Sequence, residues 1–279
     1  MVLFLYTFYR LHQELNFHSP ASQVDYPANL SFQTQFVTNA DQQKIAYWYF
    51  PVTQPKAVVI LIHGLSNPGG KTQSIGYAQF LHDAGYSTVA LDLRSFGESD
   101  GQKITLGENE WKDVDIVFDA IKARSENKTL KVGYLGVSMG AATALINAGL
   151  THKPDFVIAS VPYASFDKLF YYQIQKAGFP PQIIFPFMQL AARIELGSNY
   201  AQFSPQTLIK DIHVPILFIS ATHDNSVNSH DAVDLFNAAN DPKELWVADA
   251  SHDVFHDQPE AFKAKVLEFL AKYLPSQNQ

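Results

Sequence analysis

Residues 131–150 read KVGYLGVSMGAATALINAGL, and this stretch decides the fold. Its first five residues have the composition of a buried strand, and residues 139–150 have the composition of a helix. The junction, Gly136-Val137-Ser138-Met139-Gly140, is the one G-x-S-x-G sequence in the chain. A sharp turn of this kind holds the serine in a strained backbone conformation, and flanking glycines avoid clashes there.

The position of this serine suggests chemistry. Its hydroxyl would project from the carboxyl end of a strand, where open α/β sheets bind ligands. The helix that starts behind it favours negative charge developing on a bound substrate. We therefore predict that Ser138 is a nucleophile. The alternative is a capping serine at the start of a glycine-flanked helix.

On both sides of this stretch, strand and helix patterns alternate. Continuous apolar runs typical of strands buried on both faces occur at 57–62, 87–91, 131–135, 156–159, 215–219 and 244–247. Apolar residues at three and four spacing predict helices at 72–84, 110–123, 139–150, 229–239 and 259–273. Gly85 and Gly149 are expected to end two of these helices. The alternation predicts an α/β fold with a mostly parallel, doubly wound sheet.

Two further segments modify this plan. Residues 32–38 and 44–50 have strand character and flank a turn-like sequence, so we expect an antiparallel N-terminal hairpin. Residues 162–213, rich in phenylalanine and tyrosine and broken by prolines, predict a small helical cap insertion. The predicted organisation is an N-terminal segment at 1–30, an α/β domain at 31–274 with this cap, and a tail at 275–279.

Composition narrows the class of protein. The chain has 279 residues, with 20 basic and 27 acidic side chains and a formal charge of −7. No basic stripe suited to phosphates is visible, so nucleic acid is not expected as a partner. The absence of cysteine excludes disulfides, thiolate metal sites and a cysteine nucleophile. The high aromatic content fits either a well-filled core or an apolar pocket.

A serine nucleophile needs a general base, and the base needs a carboxylate that orients it. Asp224 lies in the loop after the strand near residues 215–219, and His252 lies in the loop after the last strand. Both would therefore reach the edge of the sheet that carries Ser138. We predict Asp224 as the acid and His252 as the base.

Rival residues exist for both roles. Asp231 and Asp249 are the alternative acids, and both are expected to be solvated surface residues. His256 is the alternative base; its spacing from His252 would also permit a metal site, although no third ligand is evident. His223, beside Asp224, is a weak candidate for lining the site. We predict no metal and no cofactor.

Acyl transfer also needs donors for an oxyanion. One backbone N–H would come from Met139, the residue after the nucleophile, and the other from Leu65 in the His63-Gly64-Leu65-Ser66 loop. His63 itself is expected to be structural. The alternative is that His63-Gly64 simply ends a strand.

Five segments now resemble the α/β-hydrolase superfamily in order. They are HGLS at 63–66, LDLRSFGESDG at 91–101, GVSMG at 136–140, HDNSV at 223–227 and SHD at 251–253. The strand IAYWYFP and the sequence PYASF are most similar to the Bem46-like and serine-aminopeptidase-like (S33) hydrolases. The chain departs from the usual pattern at Ser95, where these proteins carry the first glycine of the D-x-R-G loop.

The resemblance implies the α/β-hydrolase fold and a carboxylic-ester hydrolase acting on a small-molecule ester without a cofactor. The aromatic cap suggests a substrate with an apolar group. Peptidase, thioesterase or lipase chemistry on the same three residues remains open, as does a non-catalytic binding protein with this fold. The resemblance fixes neither the physiological substrate nor the oligomeric state.

The N-terminus opens with an apolar run at residues 2–9 followed by Arg10. Eight residues are too few to cross a bilayer, which takes about 20, and no signal-peptide pattern is present. A packed or interfacial helix is expected first, and membrane association through residues 1–17 is the alternative. The sequence does not fix the location; a cytoplasmic location is expected first, and a membrane-associated location is the alternative.

Overall fold

The computed structural model describes residues 2–21, 27, 30–66 and 68–274. The predicted tail at 275–279 and part of the predicted N-terminal segment therefore lie outside the described residues. The helices and strands, numbered in chain order, are α1 (Val2–Leu15), β1 (Gln33–Thr38), β2 (Lys44–Phe50), β3 (Val58–Ile62), α2 (Ile75–Asp83), β4 (Ser87–Leu91), α3 (Glu110–Ala123), β5 (Val132–Val137), α4 (Met139–Thr151), β6 (Val157–Ser160), α5 (Phe166–Lys176), α6 (Pro181–Glu195), α7 (Pro205–Leu208), β7 (Ile216–Ala221), α8 (Ser229–Ala238), β8 (Lys243–Ala248), α9 (Val254–Asp257) and α10 (Pro259–Tyr273).

The strands form one eight-stranded sheet in the order β1-β2-β4-β3-β5-β6-β7-β8. Strands β1 and β2 pair antiparallel, and β2 also runs antiparallel to β4. All other neighbours pair in parallel. The predicted mostly parallel sheet with an antiparallel N-terminal hairpin is thus confirmed. Because the parallel strands share one direction, the loops after β3, β5, β7 and β8 meet at one edge.

Both faces of the sheet are covered, which explains the continuous apolar strand sequences. Every residue of β3 is buried. Alternate side chains of β3 join one core with α3, α4 and α8, and the side chains between them join a second core with α2 and α10. The sheet is therefore a rigid platform for the loops at its edge.

The expected role of Gly149 as a helix stop is wrong. Gly149 does not end a helix: α4 continues to Thr151, and His152 adopts the left-handed conformation that closes it. A side chain at Gly149 would lie 2.8 Å from the Cβ of Leu208. Glycine at this position therefore serves close packing of α4 against the end of α7. Gly85, in contrast, has a φ of 87° directly after α2, as expected of a helix stop.

The N-terminal helix packs on the body of the protein. Leu11 and Leu15 are buried in the main core, and α1 contacts α6. The carbonyl of Leu15 accepts a hydrogen bond of 2.7 Å from the N–H of Ile104. In the part of the chain that the structure describes, no helix has both the length and the apolar character needed to span a bilayer.

The loop at 91–101 is held by buried ion pairs. Asp92 pairs with the buried Lys71, whose ammonium also reaches Glu98 and the ring of Trp48. Arg94 donates two hydrogen bonds to the carboxylate of Asp113, from Nη2 at 2.8 Å and from Nε at 3.0 Å. These contacts are internal to the scaffold.

Ser95, the residue that replaces the usual glycine of this loop, has a φ of 67°. Ser95 therefore adopts the left-handed conformation that glycine adopts easily. This conformation is less favourable for serine, because its Cβ lies close to the backbone.

Glu108 gives a prediction about stability and pH. Burial, with the nearby charge of Glu110 adding to it, raises the pKa of Glu108 to about 7, and its Oε2 is buried without a partner among the described residues. The pKa of such a carboxyl is higher in the folded protein than in the unfolded chain. Its contribution to the free energy of unfolding is therefore complete below its ordinary pKa and is lost as the pH rises through about 7. Replacing Glu108 with glutamine should therefore raise the melting temperature by about 3 °C near neutral to alkaline pH.

The same substitution should raise the melting temperature much less at about pH 5, where the native side chain is neutral and the unfolded chain gains little from ionising it. Circular dichroism melts at about pH 5 and about pH 8 would measure the difference. Glu126, an exposed residue paired with Arg124, has a lowered pKa and serves as the control, since its replacement by glutamine should bring no gain. Equal gains for Glu108→Gln at both pH values would contradict the prediction.

Candidate active site

Ser138 occupies the tight turn between β5 and α4. It has a φ of 54° and a ψ of −117°, a backbone conformation that residues other than glycine rarely adopt. Its N–H donates to the carbonyl of Ser160 on the neighbouring strand, which fixes the turn to the sheet. The strained serine expected from the sequence is therefore present at the carboxyl edge.

Two glycines let other elements approach this turn. A side chain at Gly140 would lie 2.1 Å from the carbonyl oxygen of Ile62, so α4 can start directly against the end of β3. A side chain at Gly64 would lie 3.4 Å from the Cβ of Ser138. The loop after β3 is thus packed immediately beside the serine.

His252 and Asp224 meet at the same edge of the sheet. The Nδ1 of His252 lies 2.7 Å from the Oδ2 of Asp224. The Oδ1 of Asp224 accepts hydrogen bonds from the N–H groups of Ser226 (2.7 Å) and Val227 (2.8 Å). The carboxylate is buried, while the imidazole stays partly exposed. Because Asp224 accepts only, His252 carries its proton on Nδ1 and presents Nε2 as a proton acceptor.

The rival residues lie elsewhere. Asp249 is exposed, as expected, and pairs with the exposed His223, whose Nε2 lies 2.8 Å from the Oδ1 of Asp249. Asp231 was expected to be solvated, and this expectation is wrong: its side chain is buried, and its Oδ2 accepts a 2.9 Å hydrogen bond from the N–H of Ala164. This hydrogen bond joins the segment before α5 to the first turn of α8.

The predicted oxyanion donors flank the serine. Met139 is the first residue of α4, so its N–H has no partner within the helix. The N–H of Leu65 has no hydrogen-bond acceptor in the described part of the chain. Leu65 and Met139 both line a cavity together with Ser138. An oxyanion requires two free N–H groups close to the attacking hydroxyl, so Leu65 and Met139 stay the predicted donors.

His63 serves the loop rather than the serine. Its Nδ1 lies 2.8 Å from the carbonyl of Gly64, and its Nε2 accepts from the N–H of Leu93 at 3.1 Å. Burial lowers the pKa of this imidazole, so the ring is neutral. With both nitrogens engaged, His63 holds the Leu65 loop in place.

Two cavities open at Ser138 and His252. The first, here called the α2 cavity, has a volume of about 620 Å³ and extends towards Tyr77 and Phe255. The second, here called the cap cavity, has a volume of about 570 Å³ and extends between α1, α5 and α6. Both volumes lie in the range of small-molecule sites.

Ser138 and His252 line both cavities, but among the described residues no hydrogen bond joins the serine hydroxyl to the imidazole. Such contacts are often long before a substrate binds. His256 is exposed on α9 and lines only the α2 cavity of the two. Over the described ranges, no group of three or more histidine, aspartate or glutamate side chains is arranged to hold a metal ion.

The sequence did not indicate the contribution of α1 to this site. Five residues of the helix line the cap cavity beside Ser138: Tyr6, Thr7, Arg10, Glu14 and Leu15. Their spacing places them on one face of a helix, and this periodicity was the available signal. The periodicity does not indicate which part of the protein this face of the helix covers.

Comparisons with known proteins agree with this architecture. The profile of the family described as serine aminopeptidase, S33, matches residues 53–195. The esterase Pf2001 of Pyrococcus furiosus has a similar fold, with a TM-score of 0.77 at 22% identity, over 93% of this chain and 98% of that one.

The relatives found by sequence similarity are longer than this chain. The uncharacterised protein YqkD of Bacillus subtilis is 27% identical over 229 residues, which cover 80% of this chain and 74% of that protein. The lysophosphatidylserine lipase ABHD12 of Mus musculus is 26% identical over 204 residues, 71% of this chain and 49% of the lipase. The chain thus spans about half the length of the lipase relatives that it matches.

The family match covers β3 to α6, including the loop after β3, the Ser138 turn and the start of the region between β6 and β7. The sheet order and the solved structures of similar fold agree with it. The chain therefore belongs to the S33 serine aminopeptidase family of hydrolases and has the α/β-hydrolase fold.

Proposed function

We propose that the protein is a serine hydrolase that cleaves carboxylic esters of small molecules carrying an apolar group. The observation that carries the proposal is the 2.7 Å contact between His252 and the buried Asp224, in a cavity that also exposes the strained Ser138. An imidazole oriented in this way is the base that a serine nucleophile needs.

In the proposed reaction, His252 Nε2 takes the proton of Ser138 as the Oγ attacks the ester carbonyl. The tetrahedral oxyanion is bound by the N–H groups of Leu65 and Met139. When it collapses, the C–O bond to the alcohol breaks, and His252 returns the proton to the leaving oxygen. Water then attacks the acyl-serine with the same base, which releases the acid and restores the hydroxyl.

Ester cleavage is favoured over aminopeptidase chemistry by the charges around the site. An aminopeptidase must hold the ammonium group of its substrate with carboxylates. Of the described residues that line the two cavities, Glu14 and Asp253 are the carboxylates. Glu14 pairs with Arg10, and Asp253 caps α9 through the N–H of His256. Both carboxylates thus already have a partner, and neither is dedicated to an ammonium ion.

A lipase-like preference has some support as a second candidate. The relative ABHD12 is a lysophosphatidylserine lipase, and the cap cavity is lined largely by apolar side chains. A lipase acts by the same ester chemistry, so the difference lies in the length of the acyl chain. Thioesterase activity and a non-catalytic binding role are the remaining alternatives, and turnover assays separate them.

The proposal predicts that a fluorophosphonate probe labels the protein on Ser138. The probe phosphonylates a serine, with loss of fluoride, only when a neighbouring base activates the hydroxyl, so the adduct reports the assembled site. Peptide mass spectrometry should place the adduct in the 131–150 region, and Ser138→Ala should remain unlabelled. Turnover of matched ester, thioester and amide substrates would then rank the chemistries. An unlabelled wild-type protein, or an adduct on another serine, would overturn the assignment.

A further inference from the structure

We propose that helix α1 forms the specificity-determining wall of an acyl-binding cavity. In this view the cap cavity takes an unbranched acyl chain of the ester, and the side chains of α1 limit the length that fits. This inference rests on the proposed ester hydrolysis at Ser138 and specifies its substrate. The matched family region begins at residue 53, so family membership assigns no role to α1.

The cap cavity begins at the reacting groups and ends against α1. Ser138, Met139 and His252 line its inner end. Tyr6 and Thr7 line it from α1. An acyl group attached to Ser138 would therefore extend towards the N-terminal helix.

The walls suit a hydrocarbon chain because the polar side chains that α1 contributes to them already have partners. The hydroxyl of Thr7 donates to the carbonyls of Leu3 and Phe4 within α1, at 3.1 and 3.0 Å. Arg10 and Glu14 pair with each other. The opposite wall is apolar and is formed by Phe170, Ile184 and Met188. Such a surface gains from each methylene it buries and has few polar groups with which to hold a polar chain.

Helix α1 is fixed firmly enough to act as a wall. The Nδ1 of His12 lies 2.7 Å from the Oε1 of Glu195 at the end of α6. Asn16 and Lys103 also hold that carboxylate, at 3.2 and 3.0 Å. Leu15, the last residue of α1, is almost completely buried in the main core. A rigid wall sets a maximum chain length instead of yielding to longer chains.

Chain-length profiles test the role of α1. With p-nitrophenyl esters from acetate to palmitate, kcat/KM should rise about fourfold for each added methylene until the chain reaches α1. Thr7→Phe places a ring in the cavity and should lower the ratio of kcat/KM for long over short esters at least about tenfold. Leu5→Phe is the matched control, because Leu5 is exposed on the same helix and does not line the cavity.

A second pair of variants covers the case in which Thr7→Phe does not fold. Tyr6 lines the cavity and is half-exposed, so Tyr6→Ala should fold. Removing this ring takes away part of the wall that limits chain length and should raise the same ratio about threefold. Tyr9→Ala, on an equally exposed tyrosine that does not line the cavity, should leave the ratio unchanged. Unchanged ratios in the folded cavity-lining variants would overturn the role of α1.

A third pair tests the cavity from its other side. Ile184→Trp should shorten the preferred chain, whereas Ile183→Trp, its exposed neighbour on α6, should not. If Ile184→Trp shifts the profile while the α1 variants do not, the acyl chain avoids α1 and the inference is wrong. A protein that takes no fluorophosphonate label at all would instead refute the proposed hydrolase function. Retained label with an unaltered profile in every variant would refute the inference alone.

Discussion

Ser138→Ala is expected to lower kcat/KM for ester hydrolysis by about 10⁴- to 10⁶-fold without unfolding the protein. The hydroxyl is the attacking group of the proposed reaction, and alanine cannot replace it. Residual turnover would come from the oxyanion donors and from binding alone. Steady-state kinetics with an ester substrate, together with a circular dichroism melt, would measure both parts of the expectation.

The strained backbone of Ser138 supplies a sharper form of this test. With a φ of 54° and a ψ of −117°, the residue costs of the order of 1–3 kcal/mol in stability. Alanine keeps the Cβ and therefore the strain, so Ser138→Ala should melt close to the wild type. Ser138→Gly relieves the strain and should be inactive yet more stable by about 1 kcal/mol.

Two outcomes would contradict this account. A Ser138→Ala variant that retains more than about a tenth of the activity would remove the serine from the proposed mechanism. A Ser138→Gly variant less stable than Ser138→Ala would mean that the backbone at this turn stores no strain. The two results are independent, because one measures chemistry and the other measures conformation.

The elements that carry this site are those that local sequence specifies well. Strand β5 and the start of α4 follow from an apolar run and from two glycines placed around Ser138. Asp224 and His252 were assigned because parallel strands bring the loops at their carboxyl ends together. The structure brings the two side chains into contact, while their catalytic role stays a prediction.

The features that sequence did not predict depend on contacts between distant segments. Asp231 has the sequence context of an exposed helix residue, but in the structure it is buried and accepts a hydrogen bond from the N–H of Ala164, 67 residues earlier in the chain. Gly149 has the composition of a helix stop, but its role is contact with Leu208. The cap cavity likewise exists because α1 packs against α6, more than 160 residues later in the chain. Periodicity describes one face of an element and carries no information about the partner of that face.

Asp224→Asn is the second substitution with a large expected effect, about 10³- to 10⁴-fold in kcat. The reason lies in the hydrogen bonds of the carboxylate. Its Oδ1 accepts from the N–H groups of Ser226 and Val227, so the single oxygen of an asparagine side chain would stay on that side. The NH₂ group would then face the Nδ1 of His252, which could no longer donate.

An imidazole that accepts at Nδ1 carries its proton on Nε2. The Asp224→Asn variant would therefore present an N–H to Ser138 instead of a lone pair, and it could not take the serine proton. The chain offers a matched control in Asp249→Asn, which alters a second aspartate–histidine contact of 2.8 Å, with His223, on the exposed surface. That variant should keep kcat within about twofold of the wild type, because an exposed pair contributes little.

Kinetics and labelling together separate the possible outcomes. Asp224→Asn should lose fluorophosphonate labelling along with turnover, since both need the proton acceptor at Nε2, whereas Asp249→Asn should label as the wild type does. Equal activity in the two variants would show that the buried carboxylate does not orient the base. A loss of activity in Asp224→Asn with an undiminished labelling rate would place the role of the carboxylate after acylation. Only loss of both supports a carboxylate that sets the tautomer of His252 before the serine attacks.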